Sequence, residues 1–225
     1  NHALTELNHA GLSVRLWDDD VVTEANLGRQ LFAESELGLY KSVALINRIN
    51  RFFGTNWKAE IVRFDNERVG ELPQNSRTNI YISCVDSVKS RFDIAEILNE
   101  LKTDKSYYRN QCKYWMDFGN SQFTGQVLLS TIGNIKQPNS EKYVTVENLP
   151  FITEEFGELL KVSESKDDTP SCSLAEALEK QDLFINSTLA QMGSSLLWNL
   201  FRNGLTENRG LFLNLKNFTA QPIKL

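Results

Sequence analysis

The sequence predicts an α/β protein: an open, mostly parallel sheet with helices on both faces, closed by C-terminal strands. Three observations carry this reading. Short apolar runs of strand length alternate with longer segments periodic as helices, the pattern of parallel pairing through right-handed crossovers. Acidic residues follow directly on two of those runs, at the strand ends where such sheets bind ligands. The 225 residues, 41% hydrophobic and 24% charged, are enough to bury one sizeable core.

The elements follow in order. NHALTELNH (1–9) reads as the end of a helix stopped near Gly11, and LSVRLW (12–17) alternates as a strand does. KSVALINRINRFF (41–53) sets Val43, Ile46, Ile49 and Phe53 at helical spacing, with Leu45 and Phe52 beside them. WKAEIVRF (57–64) alternates again, TNIYISCV (78–85) is a buried-strand run, and VKSRFDIAEILNELK (88–102) is periodic as a helix. KYWMDF (113–118) and TGQVLLSTI (124–132) read as strands. Residues 133–170, with KQPNSEK and SESKDDTPS, are polar and broken by proline. They are read as a long crossover-type connection with little regular structure, a functional flap or a disordered stretch. LAEALEKQDLFINSTLAQMGSSLLWNLF (174–201) is helical with Gly193 as a candidate break, and RGLFLNLKNFTAQPIKL (209–225) supplies one or two closing strands. No repeat or domain boundary stands out, so residues 1–225 are expected to form a single domain.

Composition excludes some functions. A formal charge of −5 and a pI near 5.2 argue against a protein built to coat nucleic acid. LFINSTLAQMGSSLLWNLF (183–201) is interrupted by Asn186, Ser187, Gln191 and Asn199 and falls short of the roughly 20 apolar residues a membrane span needs. Cys84, Cys112 and Cys172 lie far apart with no CxxC pair, which makes neither a disulfide framework nor a zinc knuckle and fits a reducing cytoplasm. The first residue is Asn1, so sequence upstream is expected to be missing.

Two spots fall at strand ends: Asp18, Asp19 and Asp20 after VRLW, and Asp86 in CVDS after NIYIS. An acid at the end of the second strand of a dinucleotide fold accepts hydrogen bonds from ribose hydroxyls, about 20 residues beyond a glycine-rich phosphate turn. Counting back from Asp18 places that turn at or before residue 1. The residues alone leave alternatives open: the aspartates as a solvated turn with Asp20 capping a helix, Arg29 and Lys41 as separate surface cations, and Asp86 as the cap of a helix beginning near Val88.

Taken in order, these residues carry a pattern. Asp18 and Asp20 form Asp-x-Asp, Asn26 to Gln30 form Asn-Leu-x-Arg-Gln with Gly28 at the variable place, and Gly38 and Lys41 form Gly-x-x-Lys. Asp86 follows a buried strand and is itself followed by Arg91, and MDFGNSQFTGQV (116–127) makes a strand-turn-strand segment ending in Gly-Gln-Val. This pattern resembles the Rossmann-like adenylating domain of the ThiF/MoeB/HesA family, relatives of ubiquitin-activating enzymes, over most of residues 12–132, and TPSCSLAEALEKQDLFIN extends it. Within that family, NHAL, GRQLF, NRFFG and DTPSCSLAEALEKQDLFIN are most similar to the ThiF-type proteins of PRTRC systems on bacterial plasmids and integrated elements.

The resemblance implies a nucleotide site. Asp18 would hold the ribose of ATP, with Asp20, Gln30 and Ser87 beside the nucleotide. Asn26 and Arg29 would reach the phosphates, Lys41 would neutralise charge there as a mobile ammonium, and Asp86 would hold Mg²⁺. The implied reaction is attack by the C-terminal carboxylate of a small ubiquitin-like or sulfur-carrier protein on the α-phosphate, giving an acyl-adenylate and pyrophosphate. It needs positioning and charge stabilisation and no general base, which suits a chain whose histidines are His2 and His9. A homodimer is implied as well, with no membrane or direct nucleic-acid partner.

The chain also departs from the family pattern. The glycine-rich turn is not within it, and the Asn that often follows the magnesium-binding Asp is Ser87. Three scattered cysteines cannot supply the two pairs of a structural zinc site, so no zinc is expected. TPSCSL resembles the setting of a thioester cysteine, which makes Cys172 a candidate nucleophile, the other reading being a thiol packed beside a helix. Cys84 and Cys112 are read as structural. Two rival functions stand beside adenylation: a degenerate module that binds nucleotide or partner without chemistry, and an NAD-dependent oxidoreductase.

Overall fold

The computed structural model describes residues 1–28, 30–65, 77–102, 111–164 and 181–225. The chain divides into two compact units, Asn1–Phe64 with Pro170–Phe184 and Asp65–Thr169 with Ile185–Leu225.

The first unit opens with a short helix, α1 (His2–Glu6), whose Leu4 is buried, and with turns at Asn8 and Gly11 in the left-handed region. Strand β1 (Arg15–Trp17) then pairs in parallel with β2 (Lys58–Glu60). Between them runs helix α2 (Lys41–Phe53), terminated by Gly54 at φ 65°, a conformation that costs glycine little. This β-α-β arrangement is the parallel pairing the sequence pattern predicts, because a parallel partner needs a long crossover. Ser42, fully buried in the first turn of α2, offers its hydroxyl to the carbonyls of Asp18 and Glu60, each at 3.0 Å. It thereby ties α2 to the carboxyl ends of both strands.

The second unit holds a five-stranded sheet in the order β3-β4-β5-β6-β7, formed by β3 (Ile80–Ser83), β4 (Tyr114–Asn120), β5 (Thr124–Thr131), β6 (Asn208–Asn214) and β7 (Thr219–Lys224). Strands β3 and β4, separated in sequence by helix α3 (Val88–Leu101), are parallel. From β4 onward every pairing is antiparallel. Residues 121–123 join β4 to β5 and residues 215–218 join β6 to β7, links too short for a crossover, whereas β5 and β6 pair antiparallel across the long 132–207 connection.

The 133–170 connection is more ordered than its composition implies. Helices α4 (Ile152–Glu155) and α5 (Gly157–Glu164) occupy its second half. Phe151 and Ile152 are buried, Phe151 packs edge-on against Trp115 with centroids 5.1 Å apart, and Glu154 accepts the Phe151 amide at 2.8 Å as a cap. Polar composition masked this apolar anchor.

Helix α6 (Ile185–Asn203) runs unbroken through Gly193. A Cβ there would overlap the Phe118 ring, so this glycine lets the helix approach the sheet. Ile185, Leu189 and Leu196 of α6 pack with Met116, Val127, Leu129 and Leu213 in one core. Residues 174–180, read as the start of this helix, lie outside the described residues. No helix among the described residues is long and apolar enough to cross a membrane.

Candidate functional site

Of the described site residues, Asp18, Asp20, Asn26, Gln30 and Lys41 belong to the first unit and Asp86 and Ser87 to the second. The first turn follows β1. The Asp18 amide continues the ladder by donating to Glu60 O at 3.1 Å, and its Oδ1 accepts the Asp20 amide at 2.9 Å, which closes the turn. Its Oδ2 makes no hydrogen bond among the described residues. Burial raises the Asp18 carboxyl above its ordinary value, opposed by the Asp20 amide and by Lys41 and reinforced by the charges of Asp20 and Asp19. The carboxylate oxygens of Asp18, Asp19 and Asp20 lie within 4.8 Å of one another.

Lys41 is the first residue of α2, and its amide donates to Asp20 O at 2.9 Å. Its Nζ meets Asp20 Oδ2 at 2.7 Å, with the lysine side chain only 15% exposed. The ammonium expected to be mobile is therefore held, and Asp20 does not cap a helix: it takes both the backbone and the charge of Lys41.

Asn26 ends a single 3-10 turn and is buried. Its Oδ1 accepts both the amide and the hydroxyl of Thr23, at 2.8 and 3.0 Å. That fixes the amide plane and leaves the Nδ2 donors without a partner among the described residues. Gly28 adopts φ 82°, a turn conformation suited to glycine, and the Gln30 amide donates to Asn26 O at 3.0 Å. Gly38, at φ 78°, donates its amide to Val22 O. Arg29 lies outside the described residues, as does Cys172.

The second turn follows β3. Asp86 is exposed, with no side-chain hydrogen bond or ion pair among the described residues. The helix cap falls to its neighbour: Ser87 Oγ accepts the Ser90 amide at 3.1 Å. Arg91 turns inward to Asp117, with Nε donating to Oδ2 at 3.1 Å. Asp117 also accepts Ser83 Oγ at 2.6 Å, and Trp115 Nε1 donates to that hydroxyl at 2.8 Å. Burial raises the Asp117 carboxyl, while Arg91, Ser83 and Gln126 act in the opposite direction. Among the described cysteines, Cys84 and Cys112 are free thiols, Cys84 at the exposed edge of the turn and Cys112 beside the Tyr81 hydroxyl at 3.7 Å.

The buried network of Ser83, Asp117 and Trp115 did not stand out as a site in the sequence. Its signal was an Asp inside the apolar run YWMDF, because a charge buried in a strand demands a partner.

Chemically, the first turn offers a carboxylate acceptor, amide donors and a held ammonium, the groups that suit a polyhydroxyl and a phosphate. The second offers an exposed carboxylate, a hard donor of the kind Mg²⁺ prefers.

No curated protein matches the chain by sequence. Solved structures do match in fold. E. coli MccB with ATP is 13% identical at a TM-score of 0.55, covering all of this chain and 60% of MccB. E. coli MccB with AMPCPP and MccA is 13% identical at 0.57, again over all of this chain and 60% of MccB. PaaA is 14% identical at 0.56, over 94% of this chain and 64% of PaaA. The chain thus spans less than two thirds of the length of each of these. A family model described as ThiF family matches residues 2–222, nearly its whole length, and the chain belongs to the ThiF family.

Proposed function

We propose that the protein activates a carboxylate of a peptide or small protein partner by ATP-dependent adenylation, the partner being of the ubiquitin-like or sulfur-carrier kind, and that residues 1–225 act as one adenylating domain. The observation that carries this reading is the family match over residues 2–222, with carboxylates at the carboxyl ends of both β1 and β3: Asp18, whose Oδ2 has no hydrogen-bond partner among the described residues, and the exposed Asp86. MccB with MccA and MccB with ATP support the choice of a peptide-like substrate and of this nucleotide.

In the proposed reaction a partner carboxylate oxygen attacks the α-phosphorus of ATP. A new C–O–P linkage forms, the bond from the α-phosphorus to the bridging oxygen breaks, and pyrophosphate leaves. Asp18 Oδ2 accepts from the ribose hydroxyls, the Nδ2 group of Asn26 donates to phosphate, and Arg29, Gln30 and Lys41 add donors and positive charge. Asp20 and Ser87 hold their neighbours in place through the bonds described above. Asp86 would hold Mg²⁺, which shields phosphate charge when bound.

Partner-dependent exchange of labelled pyrophosphate into ATP tests this directly. Exchange is expected in the wild type and should collapse in Asp86→Asn; its absence with the genuine partner would leave a binding module. One observation favours that second reading: the Lys41 ammonium is already satisfied by Asp20. An NAD-dependent oxidoreductase fits less well, because Arg29, Lys41 and Asp86 suit a triphosphate with its metal.

Three finer points belong to the same proposal. Cys172 is the thioester candidate, and unchanged product transfer in Cys172→Ser removes it. A homodimer in the cytoplasm follows from the resemblance, and sedimentation of a monomer would end that part. The PRTRC-type grouping rests on the sequence stretches alone, and a gene neighbourhood without such a system would discard it.

A further inference from the structure

The turn that carries Asp86 is gripped at both ends by one buried carboxylate. Ser83, the last residue of β3, lies directly opposite Asp117 in the parallel β3/β4 register. Its hydroxyl donates to Asp117 Oδ1 at 2.6 Å. On the far side of the turn, Arg91 donates from Nε to Asp117 Oδ2 at 3.1 Å, and its Nη1 reaches back to the Ser87 carbonyl at 3.3 Å. The remaining guanidinium nitrogen donates to Phe118 O at 3.0 Å. Asp117, Arg91 and Ser83 are 1%, 4% and 5% exposed. A Cβ at Gly119 would stand 2.8 Å from Arg91 Nη2, so the neighbouring strand leaves room for the guanidinium.

Packing alone does not call for this arrangement. Two charges withdrawn from water recover their desolvation cost only through close pairing and full hydrogen bonding, and apolar residues of similar volume commonly serve stability as well or better. What an ion pair with directed bonds supplies is position. Here the directed bonds end on Ser83 and on Ser87, which bracket Cys84, Val85 and Asp86.

We propose that Asp117 is a positioning residue which, through Ser83 and Arg91, fixes the 84–87 turn and so sets the direction of the Asp86 carboxylate towards a divalent cation. This rests on the reading that Asp86 holds Mg²⁺. The bond network has its own readout, hydrogen exchange of the turn in the protein without nucleotide or metal.

The variants are Asp117→Asn, which leaves Arg91 facing a neutral group, and Ser83→Ala, which removes one bond and keeps the ion pair. In both, amide exchange across residues 84–90 should rise about tenfold as the turn opens more often. The Mg²⁺ concentration that half-saturates nucleotide-dependent stabilisation should rise about tenfold, the lower end of what partners of metal ligands contribute, while nucleotide binding without metal stays at the wild-type level. If Asp117→Asn does not fold, Ser83→Ala decides. Folded variants with wild-type exchange at 84–90 and wild-type Mg²⁺ dependence would overturn the proposal and leave the pair as packing. A wild type indifferent to Mg²⁺ would remove the metal role of Asp86 and with it the proposed purpose of the bracket, whereas exchange at 84–90 would still report whether the bonds hold the turn. The two failures are therefore distinguishable.

Discussion

Asp18 stands at the carboxyl end of β1, where its amide continues the ladder to Glu60 O. Its place after an apolar run marked it as a ligand acceptor, and in the folded turn one of its oxygens accepts the Asp20 amide while the other has no hydrogen-bond partner among the described residues. Half-burial raises its carboxyl above the ordinary value, so protonation begins at a higher pH than for a solvated aspartate. ATP affinity should fall on acidification through that raised value, because a protonated carboxyl accepts ribose hydroxyls poorly. The sign for folding is opposite: a carboxyl whose folded pKa is raised adds stability at low pH, and that contribution is lost as pH rises through the folded value. Titration calorimetry across the acid range should therefore show binding lost without unfolding, and Asp18→Asn should flatten the acid limb while weakening binding about tenfold, the worth of one charged hydrogen bond. A binding profile in Asp18→Asn with the wild-type acid limb would assign that limb elsewhere. Asp117 was less legible than Asp18 because β4 is buried on both faces. Trp115, Met116 and Asp117 are buried in succession, so no alternation marks an inward position.

At the scale of elements, Gly193 decides more than its neighbours do. The sequence suggested a break, since glycine weakens a helix interior. In the fold it is the point where α6 meets the Phe118 ring, and a Cβ would intrude on that ring. Gly193→Ala should therefore destabilise by about 1–3 kcal/mol through overpacking, despite the better helix propensity of alanine, as urea unfolding would measure. A stabilised variant would mean that the helix can shift outward at little cost. The same element explains what was and was not legible. Helical spacing located α2, α3 and the described part of α6, because each buries apolar residues at helical spacing. The strands were found but their directions were only partly inferred. The β1/β2 and β3/β4 pairs are parallel across an intervening helix and the β4/β5 and β6/β7 pairs antiparallel across short links, but β5 and β6 pair antiparallel although helices lie between them, a direction that periodicity does not register. Helices α4 and α5 were hidden because two buried residues, Phe151 and Ile152, anchor a segment whose remaining composition is polar.

For the whole molecule, the two predicted turns belong to different compact units, and each carries half of the proposed chemistry: acceptor and donors after β1, the exposed carboxylate after β3. Adenylation with Mg²⁺ predicts an effect of ligand on each set, whereas a module that only retains nucleotide predicts an effect on the first alone. Ligand linkage turns this difference into a measurement. A ligand present at 100 times its Kd stabilises the folded state by about 2.7 kcal/mol if it does not bind the unfolded chain. ATP with Mg²⁺ should therefore raise the melting temperature and slow amide exchange at residues 18–28 and again at 84–90. ATP with a chelator should protect the first stretch alone, and Asp86→Asn should behave with Mg²⁺ as the wild type does with chelator. Protection confined to residues 18–28 in the wild type with Mg²⁺ would reduce the protein to a nucleotide-binding module. No protection at either stretch would mean that the turn after β1, despite its oriented carboxylate and its ordered Asn26, does not hold the nucleotide.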